Sequence, residues 1–444
     1  MQRCITLLMF LLFVKISFSQ TALTYQSADS ITYSHFISGD YKQLRQTAKE
    51  ALRNDIDFYY LRMRMGISYY EKNNYEAALK HFKEANSMNP ADTLAQEYLY
   101  YSMLFTNRTE DAYDLAADFS ETLQQKIHFK IFTAEDLVST FQSVSISGGV
   151  GHNTNILDNE NNQYPDTTLV QNTLQGETFL GNISLENKIT NRLRVYNSFS
   201  YFNVASKGII HTPFSDTSNN YSNNSYQYNL GVNYRFKNQI LLGGSFGYFK
   251  EHSNYFSVLM DTANFQINYY DNPFDHNAYS GTLYAFYRFT YFETGLSASI
   301  ANLSDTFQLQ AEATLAYYPL GNQILYSVSS AAFLQNGSEQ NFILRQRIGG
   351  RITKWLWAEA YGSYGNHQNY LPLNGFIAYN TVEPVQLTAG GNLNFQLGKY
   401  SIIPSYTFQQ KESTYLQQDI SQNISFINKN YNNHLLTLAL KWNF

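Results

Sequence analysis

Six histidines fall in the C-terminal two thirds of the chain, His152, His211, His252, His276, His367 and His434. Histidine suits proton transfer and metal binding near neutral pH. None of the six stands at a lipase-like spacing from a serine, none forms H-E-x-x-H, and no three cluster as metal ligands do. All six are expected in loops or at strand ends. The only cysteine is Cys4, so a thiolate metal site is excluded. No Gly-rich phosphate loop is present, and no catalytic, cofactor or metal residues are assigned. The patterned charges are mostly basic. Arg192, Arg194, Arg235, Arg288, Arg345 and Arg347, with Lys188, Arg351 and Lys441, share the polar face of alternating segments with Glu186, Glu293 and Glu312. Two chemistries fit: a basic ring favouring anions, or a network of ion pairs filling a wall.

The elements that must position these charges have period two. Tyr226, Tyr228, Leu230, Val232, Tyr234 and Phe236 form one face against Gln227, Asn229, Gly231, Asn233 and Arg235. Phe307 to Tyr317 and Val385 to Phe395 alternate in the same way. The 444 residues include 38 Tyr and 32 Phe, only 15% are charged, and the net charge is -5. That balance excludes a basic nucleic-acid binder. A mean hydropathy of -0.36, with no apolar run of about 20 residues past the N-terminus, excludes a helical membrane protein. Few charges, many aromatics and alternation fit a transmembrane β-barrel, whose strands show lipid and lumen in turn. Strand centres near 146, 183, 197, 230, 244, 284, 297, 312, 328, 347, 359, 391, 405 and 438 give about fourteen strands over 140–444, with twelve or sixteen as alternatives. Tight turns are expected at Thr190-Asn191, Lys237-Asn238, Pro319 to Asn322, Thr353-Lys354 and Gly398-Lys399. Long Asn- and Ser-rich loops are expected near 152–176, 204–223, 251–277, 365–382 and 411–432, with a short connection near Ser304. Short turns face the periplasm in outer-membrane barrels.

Residues 1–19 read as a signal peptide: Arg3, an apolar stretch Ile5 to Val14, then Ser17-Phe18-Ser19 before the cut. Between 25 and 138 the period is helical. From Leu61 to Pro90, Met65-Gly66, Tyr69, Ala78, Phe82, Ala85 and Pro90 stand at the spacing of the tetratricopeptide pattern, and weaker copies lie thirty-four residues to either side. Gly66 and Ala78 are small so that two helices can cross, and Pro90 stops the second. Arg62 departs from the large apolar residue usual at its position. The segment therefore resembles three tetratricopeptide repeats. That resemblance implies a protein-binding groove lined by Tyr60, Met63, Ile67 and Tyr70, although packing against the next repeat would use the same side chains.

The chain ends HLLTLALKWNF, with Leu436, Leu438, Leu440, Trp442 and Phe444 on one face. This resembles the C-terminal signal that the barrel assembly machinery reads. Leader, repeats and barrel in that order resemble the surface lipoprotein assembly modifiers (Slam proteins), the YaiO-type barrels and the polysaccharide-export porins. The opening SVSISGGVGHNTNI is similar to the first strand of those barrels, with His152 departing from the usual residue. The resemblance implies a non-enzymatic protein of the Gram-negative outer membrane. Its periplasmic repeats would hold a client protein or envelope partner during export or surface assembly. A polysaccharide-export or passive pore, and an enzyme recruited by its repeats, are the alternatives.

Overall fold

The computed structural model describes residues 23–129, 141–159, 164, 167–237, 239–261, 266–303, 306–372, 375 and 383–444. The leader, residues 130–140 and Ser304 lie outside them. The chain divides into two compact units, Met1–Phe129 and Lys130–Phe444.

The first unit is built from helix pairs: α1 (Tyr25–Ile37) with α2 (Tyr41–Arg53), α3 (Tyr59–Tyr70) with α4 (Tyr75–Met88), and α5 (Thr93–Phe105) with α6 (Thr109–Ala117), followed by α7 (Glu121–Lys126). Pair members start thirty-four residues apart, at Tyr25, Tyr59 and Thr93 and at Tyr41, Tyr75 and Thr109. The turn inside each pair keeps the same interval, with Gly39, Asn73 and Asn107 all at positive φ. Gly and Asn are the residues that tolerate that conformation. Asp40, Asn74 and Asp92 cap α2, α4 and α5 with side-chain oxygens on the first free backbone N–H groups. Gly66 marks the crossing of α3 and α4: a Cβ there would lie 2.5 Å from the Phe82 ring. Arg62 is held by Asp57 at 2.5 Å and by His81 Nδ1 at 3.2 Å, so its guanidinium is anchored where the repeat pattern carries an apolar group.

The second unit is a closed antiparallel barrel with fourteen strands among the described residues, each paired with its neighbours in sequence and β1 (Phe141–Asn153) closing on β14 (Ile424–Asn443). The others are β2 (Thr167–Lys188), β3 (Leu193–His211), β4 (Asp216–Arg235), β5 (Ile240–Asp261), β6 (Gln266–Arg288), β7 (Phe292–Ala301), β8 (Gln308–Tyr317), β9 (Leu325–Asn336), β10 (Glu339–Arg351), β11 (Leu356–Tyr364), β12 (Val385–Leu397) and β13 (Tyr400–Asp419). Each expected strand centre falls in its own strand, and the expected tight turns at Thr190-Asn191, Pro319 to Asn322, Thr353-Lys354 and Gly398-Lys399 each join two strands; Asn238 of the fifth lies outside the described residues. Asn155–Asn159 forms a short helix, α8, after β1.

Large apolar residues point outward. At the short-turn rim aromatic rings touch in series: Tyr234 with Phe236, Tyr287 with Phe289, Phe292 with Tyr317, Trp355 with Phe395, and Tyr400 with Trp442 and Phe444 beyond it. A second series includes Tyr201 with Tyr226 and Phe246 with Tyr279. On β4, Tyr226 and Tyr234 are eight residues apart, about 26 Å along the strand. After strand tilt that approaches the ~25 Å apolar band of a transmembrane barrel.

The expected outer loops are a correction. Segments 204–223, 251–277 and 411–432 are mostly strand, extending β3–β4, β5–β6 and β13–β14. Strands β2 to β6, β13 and β14 hold 19–23 residues, whereas β7, β8 and β11 hold 9–10. About ten residues cross a bilayer, so the long strands rise well past the aromatic series. There both faces meet water or polar neighbours, so Asn, Ser and Tyr replace the apolar alternation and read as loop. In this polar storey Leu416 to Asp419 of β13 pair with Gln171 to Thr167 of β2. Val170, Leu174, Ile210 and Phe256 are buried there.

Candidate functional site: a constricted lumen

Alternation places every second side chain in the lumen. Ser143, Ser145 and Ser147 on β1, Asn182 and Ser184 on β2, Ser198 and Ser200 on β3, and Thr407 and Gln409 on β13 line a cavity of about 1110 Å³. Hydroxyl and amide side chains are frequent on that wall, together with Tyr196, Tyr284 and Tyr361 and the apolar Leu180, Phe202 and Val204.

The expected lumen charges Arg194, Arg235, Arg288, Arg345 and Arg347 do face inward on this register, and Arg192 lies in the β2–β3 turn, donating to the Arg235 carbonyl at 3.0 Å. Four are neutralised by wall carboxylates: Arg194 with Glu186 at 3.0 Å, Arg288 with Glu293 at 3.9 Å, Arg345 with Glu312 at 3.3 Å and Arg347 with Glu359 at 3.7 Å. Of the two chemistries left open, these four pairs are the ion-pair network. Three inward charges escaped the sequence reading: Glu251, Glu359 and Lys411. Strict counting along β11 would have found Glu359, opposite Asn392 on β12 and Gly349 on β10 by register. It was hidden because the outward partners Ala358 and Ala360 are small and carry little apolar contrast.

The segment after β11 folds into the barrel. Gln308 Nε2 donates to the Asn369 carbonyl at 2.7 Å. Gln310 clasps Leu371, donating to its carbonyl at 2.8 Å and accepting from its N–H at 2.9 Å. The Tyr370 hydroxyl donates to Glu312 at 2.8 Å and accepts from Arg345 at 2.8 Å. Gly375, at φ +82°, rests so close to the wall that a Cβ would lie 2.5 Å from Thr282 Oγ1. Tyr370 and Leu371 are fully buried, so residues 366–371 occupy lumen space instead of the outer loop expected there. At the far end of this connection Glu383 meets Tyr431, and Lys411 donates to Gln175 at 2.9 Å.

The histidines are also partly a correction: His252, His276 and His434 lie inside long strands. His252 faces Asp275 at 2.8 Å, His152 faces Glu177 at 2.6 Å, and His211 meets Asp216. His367 donates from Nδ1 to the Val385 carbonyl at 2.7 Å and accepts from Ser363 at 2.7 Å. Among the described residues no group of three or more His, Cys, Asp or Glu could hold a metal ion.

In the helical unit Tyr60 is 60% exposed, whereas Met63 is 5% exposed and sits in the core. Ile67 and Tyr70 are half-buried against the next helix pair, Tyr70 touching Tyr98 and Phe105. Burial holds His81 well below the usual histidine range, at about 4, with the neighbouring Arg62 charge adding to the effect.

No family model matches the chain. No curated protein matches it either. Solved structures similar to it include the Pseudomonas putida toluene transporter TodX (10% identity, 68% of this chain and 90% of that one, TM-score 0.45). Others are a Pseudomonas aeruginosa FadL homologue (9%, 68% and 90%, 0.41) and a bacterial polysaccharide outer membrane secretin (12%, 69% and 99%, 0.33). The likeness is one of barrel architecture, and nothing about cargo follows from it.

Proposed function

We propose that this chain is an outer-membrane channel for small polar solutes, narrowed by its own β11–β12 segment. Its helical pairs, read as tetratricopeptide repeats, hold a periplasmic partner protein. The supporting observation is the clasp of Asn369, Tyr370 and Leu371 by Gln308, Gln310, Glu312 and Arg345 inside a hydroxyl- and amide-lined lumen. Four of the wall's arginines are paired with its carboxylates, which weakens their pull on anions, and polar uncharged solutes meet matching groups. The test is planar-bilayer recording of the full mature chain and of a variant with residues 366–371 replaced by a short Gly-Ser link. The reading expects small discrete conductance steps that grow in the variant; no conductance from either protein contradicts it.

A second reading, export or surface assembly of a client protein or lipoprotein, is favoured by the thirty-four-residue recurrence of helix pairs, because such stacks present grooves for partner chains. Crosslinking from Tyr60 with capture of a secreted client, and loss of that client from the surface on deleting 25–129, would favour it over the solute channel.

A further inference from the structure

The barrel closes where its first strand meets its last, and two histidines face each other across that seam. His152 on β1 and His434 on β14 are direct cross-strand partners. Both continue the outward face of Val150 and Leu436, the partners one position nearer the short turns. One position beyond the histidines, the Thr154 N–H donates to the Asn432 carbonyl at 2.8 Å. The pair therefore stands where the outer wall passes from apolar to polar. That hydrogen bond also fixes the kind of pairing. Partners two residues from it are again a hydrogen-bonded pair, with Cβ atoms about 5.5 Å apart. Half of the His152 side chain is exposed, within reach of dissolved ions.

Each ring is tethered on its far side. His152 Nδ1 meets Glu177 Oε1 on β2 at 2.6 Å, and His434 Nδ1 meets the Tyr406 hydroxyl on β13 at 2.8 Å. β2 and β13 flank the seam from opposite sides. The two nitrogens of an imidazole lie on opposite edges of the ring. Tethers that draw both Nδ1 atoms away from the seam therefore turn both Nε2 atoms towards it. An Nδ1–H donated to Glu177, or to the Tyr406 oxygen, leaves the Nε2 lone pair for a ligand bond. Metal-bound histidines are held in this way, the second nitrogen donating to a carboxylate or another oxygen. Phe408 packs against the His434 ring, centroids 5.5 Å apart, and limits its swing. Two nitrogens on one tetrahedral ion, each at about 2.0–2.1 Å, lie about 3.3 Å apart. From the Cβ spacing, each side chain has to lean inward by about 1 Å.

We propose that His152 and His434 form a two-imidazole site for a divalent transition-metal ion, Zn²⁺ or Cu²⁺, that staples the first strand of the barrel to the last. Imidazole suits these ions, whereas Mg²⁺ and Ca²⁺ prefer carboxylates and carbonyls. No third protein ligand joins the pair among the described residues, so water completes the coordination. Glu177 and Tyr406 are positioning residues. The site is independent of what the lumen carries. Two other histidines mark what is special here. His252 meets Asp275, and His211 meets Asp216, in the same Nδ1-to-carboxylate manner. Yet the other cross-strand partner of His252 is Asn224, and that of His211 is Val170. An ion held by both strands binds only the closed barrel, so it stabilises that state by mass action.

The test is Cu²⁺ binding to the full mature chain in detergent, read by electron paramagnetic resonance, with Zn²⁺ as competitor. Thermal unfolding of the β-sheet signal is followed with and without Zn²⁺. The parent is expected to hold Cu²⁺ through two imidazoles and to release it to Zn²⁺. His152→Gln and His434→Gln should each leave one imidazole and weaken binding at least tenfold. Glu177→Gln should keep both imidazoles and weaken binding about tenfold, as loss of an outer partner does. His252→Gln should change nothing. Zn²⁺ should raise the unfolding temperature of the parent and of His252→Gln, and of neither seam variant. The melts show which variants are folded, and either seam variant alone carries the comparison if the other fails to assemble. Coordination by a single imidazole in the parent, an equal loss in His252→Gln, or a Zn²⁺ shift that survives in the seam variants overturns the site.

Discussion

Tyr370→Phe removes one oxygen and with it two of the hydrogen bonds that hold residues 369–371 in the lumen, those to Glu312 and Arg345. The Arg345–Glu312 pair stays within reach at 3.3 Å, so neither charge is stranded. Taking about 1 kcal/mol net for each bond gives about 2 kcal/mol in favour of the released segment, an increase of about thirtyfold in its population. Leu371, 1% exposed, reports this as Leu371→Cys. With Cys4 inside the expected leader, that thiol is the only one in the mature chain. Its rate of modification by a water-soluble thiosulfonate, measured in liposomes, should rise about thirtyfold on adding Tyr370→Phe. Adding Tyr361→Phe instead, which breaks a wall bond to Thr407 away from the segment, should leave the rate unchanged. A rate within twofold of the parent in the Tyr370→Phe background refutes the clasp.

Three further outcomes follow from particular residues. His81 has a folded-state pKa of about 4 against an ordinary 6.5, so its contribution to helical-unit stability is complete above about pH 6.5 and is lost as pH falls towards 4, by about 3 kcal/mol at most; thermal melts of the helical far-UV signal across that range should show the loss, and His81→Gln should remove the dependence. Gly66→Leu drives a side chain into Phe82 and should destabilise the same unit by about 1–3 kcal/mol, read by the same melts. Glu359→Gln leaves Arg347 without its carboxylate and should shift the reversal potential of the reconstituted barrel towards anion selectivity, whereas Glu359→Asp should not.

The membrane-crossing part of the barrel was legible because lipid imposes a strong rule on alternate residues. Tyr228, Leu230 and Val232 against Gln227, Asn229 and Gly231 reveal face, register and strand together. Legibility ended where that rule ends. In the polar storey of β3 and β4, Asn203 to Asn224 satisfy one another across strands, for example Asn203 with Asn224 at 2.9 Å, and carry no apolar signal. The inward turn of His367 to Leu371 was invisible for a different reason. Its partners Gln308 and Gln310 are sixty-one residues away, and an NHQNYL stretch looks alike in water or against a polar wall. In the helical unit, Gly66, Ala78 and Phe82 announced the crossing, yet nothing local separated exposed Tyr60 from buried Met63. That depended on which neighbouring helix covered α3.

The whole account stands on one arrangement, lipid outside and solute path inside, and β4 tests it most directly. Single cysteines at Tyr228, Leu230 and Val232, and at Gln227, Gly231 and Asn233, would each carry an environment-sensitive fluorophore in reconstituted liposomes. The even positions should be quenched by nitroxide-bearing lipids and spared by aqueous iodide, with the odd positions doing the reverse. Quenching that ignores this alternation would contradict the arrangement.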